Sequence, residues 1–138
     1  MKAKILFTAT VAIAAFTFLA FSNPQDKPKG EPWDIPAEYK SMENPYKDDA
    51  SLDRLGRSAY SKHCRSCHGN SGLGDGPRAR SLDTYPGDFS SAEFQSHTDG
   101  ELYYMSIIGR DEMPNFEGNI PDMEERWAII NYLRTLAK

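Results

Sequence analysis

The chain has 138 residues, of which 39% are hydrophobic, 26% charged and 12% aromatic. This length accommodates one domain, or one small domain with an extension, and the ordinary aromatic content excludes a disordered or collagen-like chain. The formal charge of -4 argues against a nucleic-acid-binding protein, which needs a basic surface to neutralise phosphates. Two cysteines cannot form the disulfide framework of many small exported domains, so something else must support the core.

The N-terminal segment has the pattern of an export signal. Lys2 and Lys4 precede an apolar stretch from Ile5 to Phe21, and a basic head before an apolar run is typical of a secretory signal. Small residues at Ala20 and Ser22 suit a cleavage site, which predicts a signal peptide over residues 1–22. An N-terminal membrane anchor is the alternative, because the stretch is at the short limit for spanning a bilayer. In both cases the remainder is exported, to the periplasm or the outer face of the inner membrane.

Residues 23–50 are predicted to form a Pro-rich extension. Its prolines break helices and favour an extended chain, and they stand at Pro24, Pro28, Pro32, Pro36 and Pro45. We expect residues 23–29 to be mobile. The stretch from Trp33 to Tyr46 is too apolar for a solvated linker, so we expect part of it to lie against the following domain.

The domain that follows, residues 51–138, is predicted to be all-α. Three segments have apolar residues at helical spacing, and no stretch alternates with the period of a strand. They run from Leu52 to His63 behind the cap Ser51, from the capping box at Thr98 to Gly109, and onward from Asp122. Between the first two segments lies a long loop rich in glycine and proline, which needs something to pack on.

The sequence Cys64-Arg65-Ser66-Cys67-His68 carries the chemistry. A thioredoxin-like dithiol requires a βαβ context that is absent, and a zinc site requires further Cys or His ligands at paired spacing. The spacing is instead typical of covalent haem c. In that arrangement Cys64 and Cys67 each bond one haem vinyl group, and His68 is the proximal iron ligand. The sequence therefore predicts one covalently attached haem c.

Further features match a known family. They are Gly56, Tyr60 and Cys64 at four-residue steps, Met113-Pro114-x-Phe116, and an aromatic last helix with Trp127 and Tyr132. Together with the Cys64–His68 motif they resemble the class I c-type cytochromes, from about Leu52 to the C-terminus. The resemblance implies a small helical fold with long loops wrapped round the haem. It also implies that the first and last helices cross at Gly56, with Trp127 or Tyr132 packed there.

The second axial ligand is predicted to be Met113. Met105 and Met123 lie in apolar helical stripes, where methionine is usually core filler, and Met42 belongs to the extension. Met113 lies in a nonhelical stretch far enough along the chain to reach the opposite face of the haem, and the resemblance implies an axial methionine in such a Met-Pro pair. His97 is the alternative ligand.

Three further residues are predicted to contact the haem or its ligand. The Pro77 carbonyl is expected to accept a hydrogen bond from the second nitrogen of His68, the alternative being a plain turn proline. Arg80, with Arg78, and Tyr85 are expected to neutralise or hydrogen-bond the haem propionates. For the arginines the alternative is a solvated loop charge.

Iron with protein ligands on both faces has no open position for substrate, so the predicted function is electron transfer rather than catalysis. We expect an exported monohaem carrier that cycles between Fe(III) and Fe(II). Its partners would be a reductase and an oxidase, or a larger respiratory complex, and a free carrier is expected to be monomeric. The alternatives are a haem c subunit of a larger membrane or periplasmic redox enzyme, and a haem enzyme with an open distal site.

A basic cluster precedes and enters the haem motif. Its members are Arg54, Arg57, Lys62 and Arg65. A run of charges is usually a solvated helix face. The alternative is a basic ring at the haem edge that steers an acidic partner.

Overall fold

The computed structural model describes residues 23–138, and the predicted leader, residues 1–22, lies outside the described residues. The helices of this described part are α1 (Ala37–Lys40), α2 (Asp53–His63), α3 (Arg65–His68), α4 (Ala92–Gln95), α5 (Asp99–Tyr103) and α6 (Met123–Arg134). A π-helical turn, Tyr104–Ile108, continues α5. Short 3-10 turns lie at Pro24–Asp26, Ala50–Leu52 and Ala79–Ser81.

The all-α prediction is confirmed. Over residues 23–138 the only β-type pairing is an isolated antiparallel bridge between Arg110 and Met113. None of the helices in that range is long and apolar enough to span a bilayer.

Helices α2 and α6 cross at Gly56. A Cβ atom at Gly56 would lie 2.1 Å from the Ala128 carbonyl oxygen and 3.1 Å from Tyr132 Cβ, so the crossing leaves no room for a side chain. The Tyr60 and Tyr132 rings pack together with their centroids 4.9 Å apart, and the Arg57 guanidinium lies 5.5 Å from the Tyr132 centroid. The crossing that the resemblance implied is therefore present, and Tyr132 is the aromatic residue packed on it.

The inner face of α6 forms the centre of the core. Trp127, Ile130 and Leu133 are at most 2% exposed, and the Trp127 ring packs on that of Tyr103 at 4.7 Å. Met123 was assigned to the same apolar stripe, but its side chain is 48% exposed. It is the first residue of α6, so it lies at the margin of the core rather than inside it.

Two of the three predicted helix starts have the predicted capping residue, and at the third the capping residue differs. Thr98 Oγ1 accepts from the Glu101 N–H at 3.2 Å, and the Glu101 carboxylate accepts from the Thr98 N–H at 2.8 Å, which completes the capping box. Helix α6 begins after a capping aspartate, as predicted. At the first helix, however, the Asp49 carboxylate accepts from the Ser51 N–H at 2.9 Å. A 3-10 turn therefore precedes α2, Asp49 caps that turn, and Ser51 does not cap α2 as predicted.

The first residues of the extension are bonded to the domain rather than free of it. The Pro28 carbonyl accepts from the Tyr85 N–H at 3.0 Å, and Lys29 Nζ lies 2.9 Å from the Glu93 carboxylate. Pro24 is buried. Residues 23–29, expected to be mobile, thus lie along the loop that follows the haem motif.

The middle of the extension packs on the π-helical turn and on α6, as expected. Ile35 is 4% exposed, and the Tyr39 ring lies 4.8 Å from that of Tyr104. The Asn44 side-chain amide donates to Asn131 Oδ1 at 2.8 Å. This part of the extension is consequently continuous with the core of the domain.

Candidate haem-binding site

One helical turn carries both cysteines and the histidine. Helix α2 ends at His63 with Cys64 as its C-terminal cap, and α3 contains Cys67 and His68. The His68 N–H donates to the Cys64 carbonyl at 3.0 Å. Both thiols are free; Cys64 is buried and Cys67 partly exposed. Burial, with a smaller contribution from Cys67, raises the pKa of the Cys64 thiol to about 12. The turn therefore presents two cysteine sulfur atoms, neither of them in a disulfide, beside an imidazole, the set of side chains that attachment of haem c needs.

The glycine-rich loop behind the motif closes the end of α3. The Gly74 N–H donates to the His68 carbonyl at 3.0 Å, and the Gly76 N–H donates to the Cys67 carbonyl at 3.1 Å. A Cβ atom at Gly76 would lie 2.4 Å from the Ser66 carbonyl oxygen, so the loop approaches the motif backbone to backbone. These bonds satisfy carbonyls that a helix end leaves unpaired, and they fix the turn that holds His68.

The His68 imidazole is buried and neutral. Its residue is 7% exposed, and burial lowers the pKa of His68 to about 4, although the nearby backbone carbonyl of Pro86 acts in the opposite direction. The ring stacks on Phe89 at 4.4 Å with an interplanar angle of 25°. A neutral imidazole keeps a lone pair for a metal at physiological pH, which a protonated one does not.

A carbonyl other than that of Pro77 acts on His68. His68 Nδ1 is buried without a hydrogen-bond partner among the described residues, so it makes no bond to the Pro77 carbonyl. Pro77 is exposed, whereas the Pro86 carbonyl is close enough to raise the pKa of the ring. Pro86 lies further along the same loop and is a second candidate acceptor, and the contact expected for Pro77 remains a prediction.

Tyr85 and Arg80 occupy the same loop. The Tyr85 hydroxyl donates to the Leu73 carbonyl at 2.9 Å, so its single proton is used within the protein. Arg80 is exposed, and its backbone carbonyl accepts from Lys27 Nζ at 2.9 Å. Tyr85 therefore braces the glycine-rich loop, and the propionate contacts expected for Tyr85 and Arg80 remain predictions.

Met113 lies in a tight nonhelical turn after α5 and its π-helical continuation. Gly109 ends that continuation at a φ of 70°, and the Met113 N–H donates to the Arg110 carbonyl at 2.8 Å. A Cβ atom at Gly109 would lie 2.3 Å from the Met113 carbonyl oxygen, so the turn folds directly onto the helix end. The half-buried Met113 side chain packs against the core cluster. Met113 therefore lies in a nonhelical turn, and its role as an axial ligand remains a prediction.

The other residues considered as the second axial ligand lie in different surroundings from Met113. His97 Nδ1 lies 3.5 Å from the Glu101 carboxylate, beside the cap of α5. Met105 is buried in the π-helical turn, and Met42 lies in the extension with its carbonyl against Gly100. Within residues 23–138 no group of three or more His, Cys, Asp or Glu side chains could hold a metal ion, so this part of the chain offers no zinc site.

Sequence reasoning missed two side chains that flank Met113. Arg110 donates to the Pro32 carbonyl at 2.8 Å and to the Glu31 carbonyl. Glu112 accepts from Thr84 and from the residue before it. Each partner is far away in the chain, so no local pattern could have indicated the contact.

The fold and the site together define a c-type cytochrome. Residues 51–133 match the family described as cytochrome C oxidase, cbb3-type, subunit III, and the chain belongs to this family. The protein is accordingly a haem c electron-transfer protein with a single, covalently attached haem. A search of the curated proteins found no match.

Solved structures of c-type cytochromes share the fold. The KustC0563 c-type cytochrome is 26% identical with a TM-score of 0.50, covering 60% of this chain and 98% of its own. A chain of the Kuenenia stuttgartiensis reducing HAO-like protein complex Kustc0457/Kustc0458 is 25% identical with a TM-score of 0.60, covering 86% of this chain and 56% of its own. Cytochrome CL from the marine methylotrophic bacterium Methylophaga aminisulfidivorans is 22% identical with a TM-score of 0.54, covering 84% of this chain and 74% of its own, and supports the fold alone.

Proposed function

We propose that the protein is an exported monohaem electron carrier in which Cys64 and Cys67 attach the haem and His68 and Met113 are its axial ligands. The observation that carries the proposal is the buried His68 imidazole on the same helical turn as Cys64 and Cys67. When bound, the haem supplies one-electron chemistry between Fe(III) and Fe(II).

The side chains around the proposed haem site favour electron transfer. The stack on Phe89 holds the plane of the His68 ring, and the capped turn of α3 holds its backbone. Met113 would supply a thioether to the opposite face, and a soft sulfur ligand favours the reduced state relative to a second histidine. With both faces occupied, no position is left for a substrate, which favours a carrier over an enzyme.

The surface near the motif suits transient docking. Four basic side chains of α2 and α3 are exposed, and they are Arg54, Arg57, Lys62 and Arg65. A positive patch beside an electron-transfer centre steers an acidic partner and raises the association rate at low salt. The proposed partners are therefore redox proteins with acidic docking faces, a reductase and an oxidase or a respiratory complex.

The second candidate is a haem c subunit of a larger redox enzyme. It is favoured by the family description, which names an oxidase subunit, and by the likeness to a chain of a multi-protein complex. Gel filtration of the natively matured protein, produced at its native expression level, distinguishes a free carrier from a subunit of a larger enzyme. A free carrier that has lost residues 1–22 elutes as a monomer below the 15.5 kDa of the full chain, whereas a subunit elutes with its complex.

Intact-mass spectrometry with a visible spectrum of the natively matured protein tests the main proposal. One covalent haem and loss of residues 1–22 are expected in the mass. The ferric spectrum is expected to show the weak long-wavelength band that the family resemblance implies for methionine-ligated iron. A colourless product with both thiols open to alkylation overturns the attachment, and immediate binding of CO and cyanide to high-spin iron supports an open distal site instead.

A further inference from the structure

The turn that carries Met113 is held from two sides by its own side chains. Arg110 and Met113 form the backbone bridge, and Asp111 between them has a φ of 48°, which gives a tight reversal. Arg110 and Glu112, on either side of Asp111, bind two segments that lie far apart in the sequence. The position of the turn therefore depends on long-range contacts as well as on its own backbone.

Glu112 attaches the turn to the loop on the histidine side. Its carboxylate accepts from the Asp83 N–H at 2.9 Å, from the Thr84 N–H at 3.0 Å and from Thr84 Oγ1 at 2.9 Å. Charge-assisted hydrogen bonds of this kind are stronger than neutral ones. The same loop continues to Phe89, whose ring stacks on the His68 imidazole with the centroids 4.4 Å apart. Glu112 thereby links the segment of one proposed axial ligand to the segment beside the other.

Arg110 attaches the turn to the extension. Its guanidinium donates to the Pro32 carbonyl at 2.8 Å and to the Glu31 carbonyl, and it lies 4.1 Å from the centre of the Trp33 ring. Trp33 in turn meets the Tyr104 ring edge-on at 6.3 Å, at the start of the π-helical turn. A planar guanidinium can donate to two carbonyls while stacking on a ring, and a lysine ammonium cannot.

We infer that Glu112 and Arg110 are positioning residues that keep Met113 on the iron. Through its contacts with Arg110, the extension then helps to hold the turn that carries Met113. The inference rests on the proposed ligation by Met113. A methionine leaves the iron when its turn opens locally, and such an opening must break the contacts of Glu112 and Arg110. Loss of either set therefore raises the population of the open turn without unfolding the helices.

The experiment measures how fast imidazole replaces the axial ligand of the ferric holoprotein in stopped-flow. At saturating imidazole the rate is that of turn opening, and it is expected to rise about tenfold in Glu112→Ala, which loses a charged acceptor. Glu112→Gln retains one acceptor oxygen, so its exchange rate is expected to lie between those of wild type and Glu112→Ala. The exchange rate of Arg110→Lys is also expected to be higher than that of wild type. Glu124→Ala is the matched control, because Glu124 is an exposed acid on α6 outside these contacts.

Two results would overturn the inference. In the first, the exchange rate of wild type saturates, and Glu112→Ala and Arg110→Lys have the same saturating rate. This result refutes the positioning role and leaves ligation by Met113 intact. In the second, the wild-type ferric protein lacks the long-wavelength band that the family resemblance implies for methionine-ligated iron, which refutes ligation by Met113 and with it the positioning role. Melting temperatures, measured in parallel, are expected to stay close to wild type, since a purely structural role would lower them without changing the exchange rate.

Discussion

Replacing Gly56 by alanine tests the reasoning about the helix crossing. The added Cβ would lie 2.1 Å from the Ala128 carbonyl oxygen and 2.8 Å from its carbonyl carbon. Both are backbone atoms of α6, so no side chain can rotate away to make room. The helices must move apart, which also loosens the contact between the Tyr60 and Tyr132 rings.

Two opposing effects set the size of the change. Alanine is the better helix former by about 1 kcal/mol in a helix interior. Overpacking of a well-packed core costs about 1–3 kcal/mol, and a backbone clash at a helix crossing belongs at the upper end of that range. The net loss of stability is therefore about 2 kcal/mol. For a domain of this size each kcal/mol lowers the melting temperature by roughly 4–8 °C, so a decrease of roughly 8–16 °C is expected.

The assay is thermal unfolding of the natively matured holoproteins, followed by far-ultraviolet circular dichroism. Gly118→Ala is the control, because a Cβ atom there meets nothing within 4 Å and the residue does not have a positive φ. Its melting temperature should equal that of wild type or exceed it slightly, since alanine restricts the unfolded chain. A Gly56→Ala protein that melts within about 2 °C of wild type would refute the account of the crossing.

Three further outcomes are expected. The double variant Cys64→Ala and Cys67→Ala should be largely unfolded by circular dichroism, because a cofactor bound only by the native state stabilises that state; a cooperative, native-like melt would contradict this. Charge reversal at Arg57 and Lys62 should slow electron transfer to an acidic partner more at low salt than at high salt, and an effect independent of salt would contradict a docking face. Met113→Ala should lose the long-wavelength ferric band and bind imidazole without a saturating rate, whereas an unchanged spectrum would assign the axial position to another residue.

The sequence by itself determined the features that depend on short spacing. The two cysteines and His68 lie on one turn because the motif is only five residues long, and the capping box at Thr98 forms because its partners are three residues apart. The helix crossing at Gly56 followed from the family resemblance, which fixes an approach between two helices that neither helix specifies alone.

The tertiary structure decided which distant groups meet. Asp49 rather than Ser51 provides the side-chain cap ahead of α2, because a 3-10 turn precedes that helix and the Asp49 carboxylate accepts from the Ser51 N–H at the start of the turn. Residue preferences cannot resolve this difference of two residues. The Pro86 carbonyl, which the sequence did not indicate, raises the pKa of His68, because the path of a long loop depends on what it packs against.

The contacts around Met113 were decided in the same way. Glu112 meets Thr84, and Arg110 meets Trp33, only once the loop and the extension have folded against the domain. Helix periodicity and capping act between residues within a few positions of each other, so they can be recognised in the sequence. A hydrogen bond or ring contact across the molecule depends on the packing of every segment between its partners, and its physical origin becomes visible only in the folded chain.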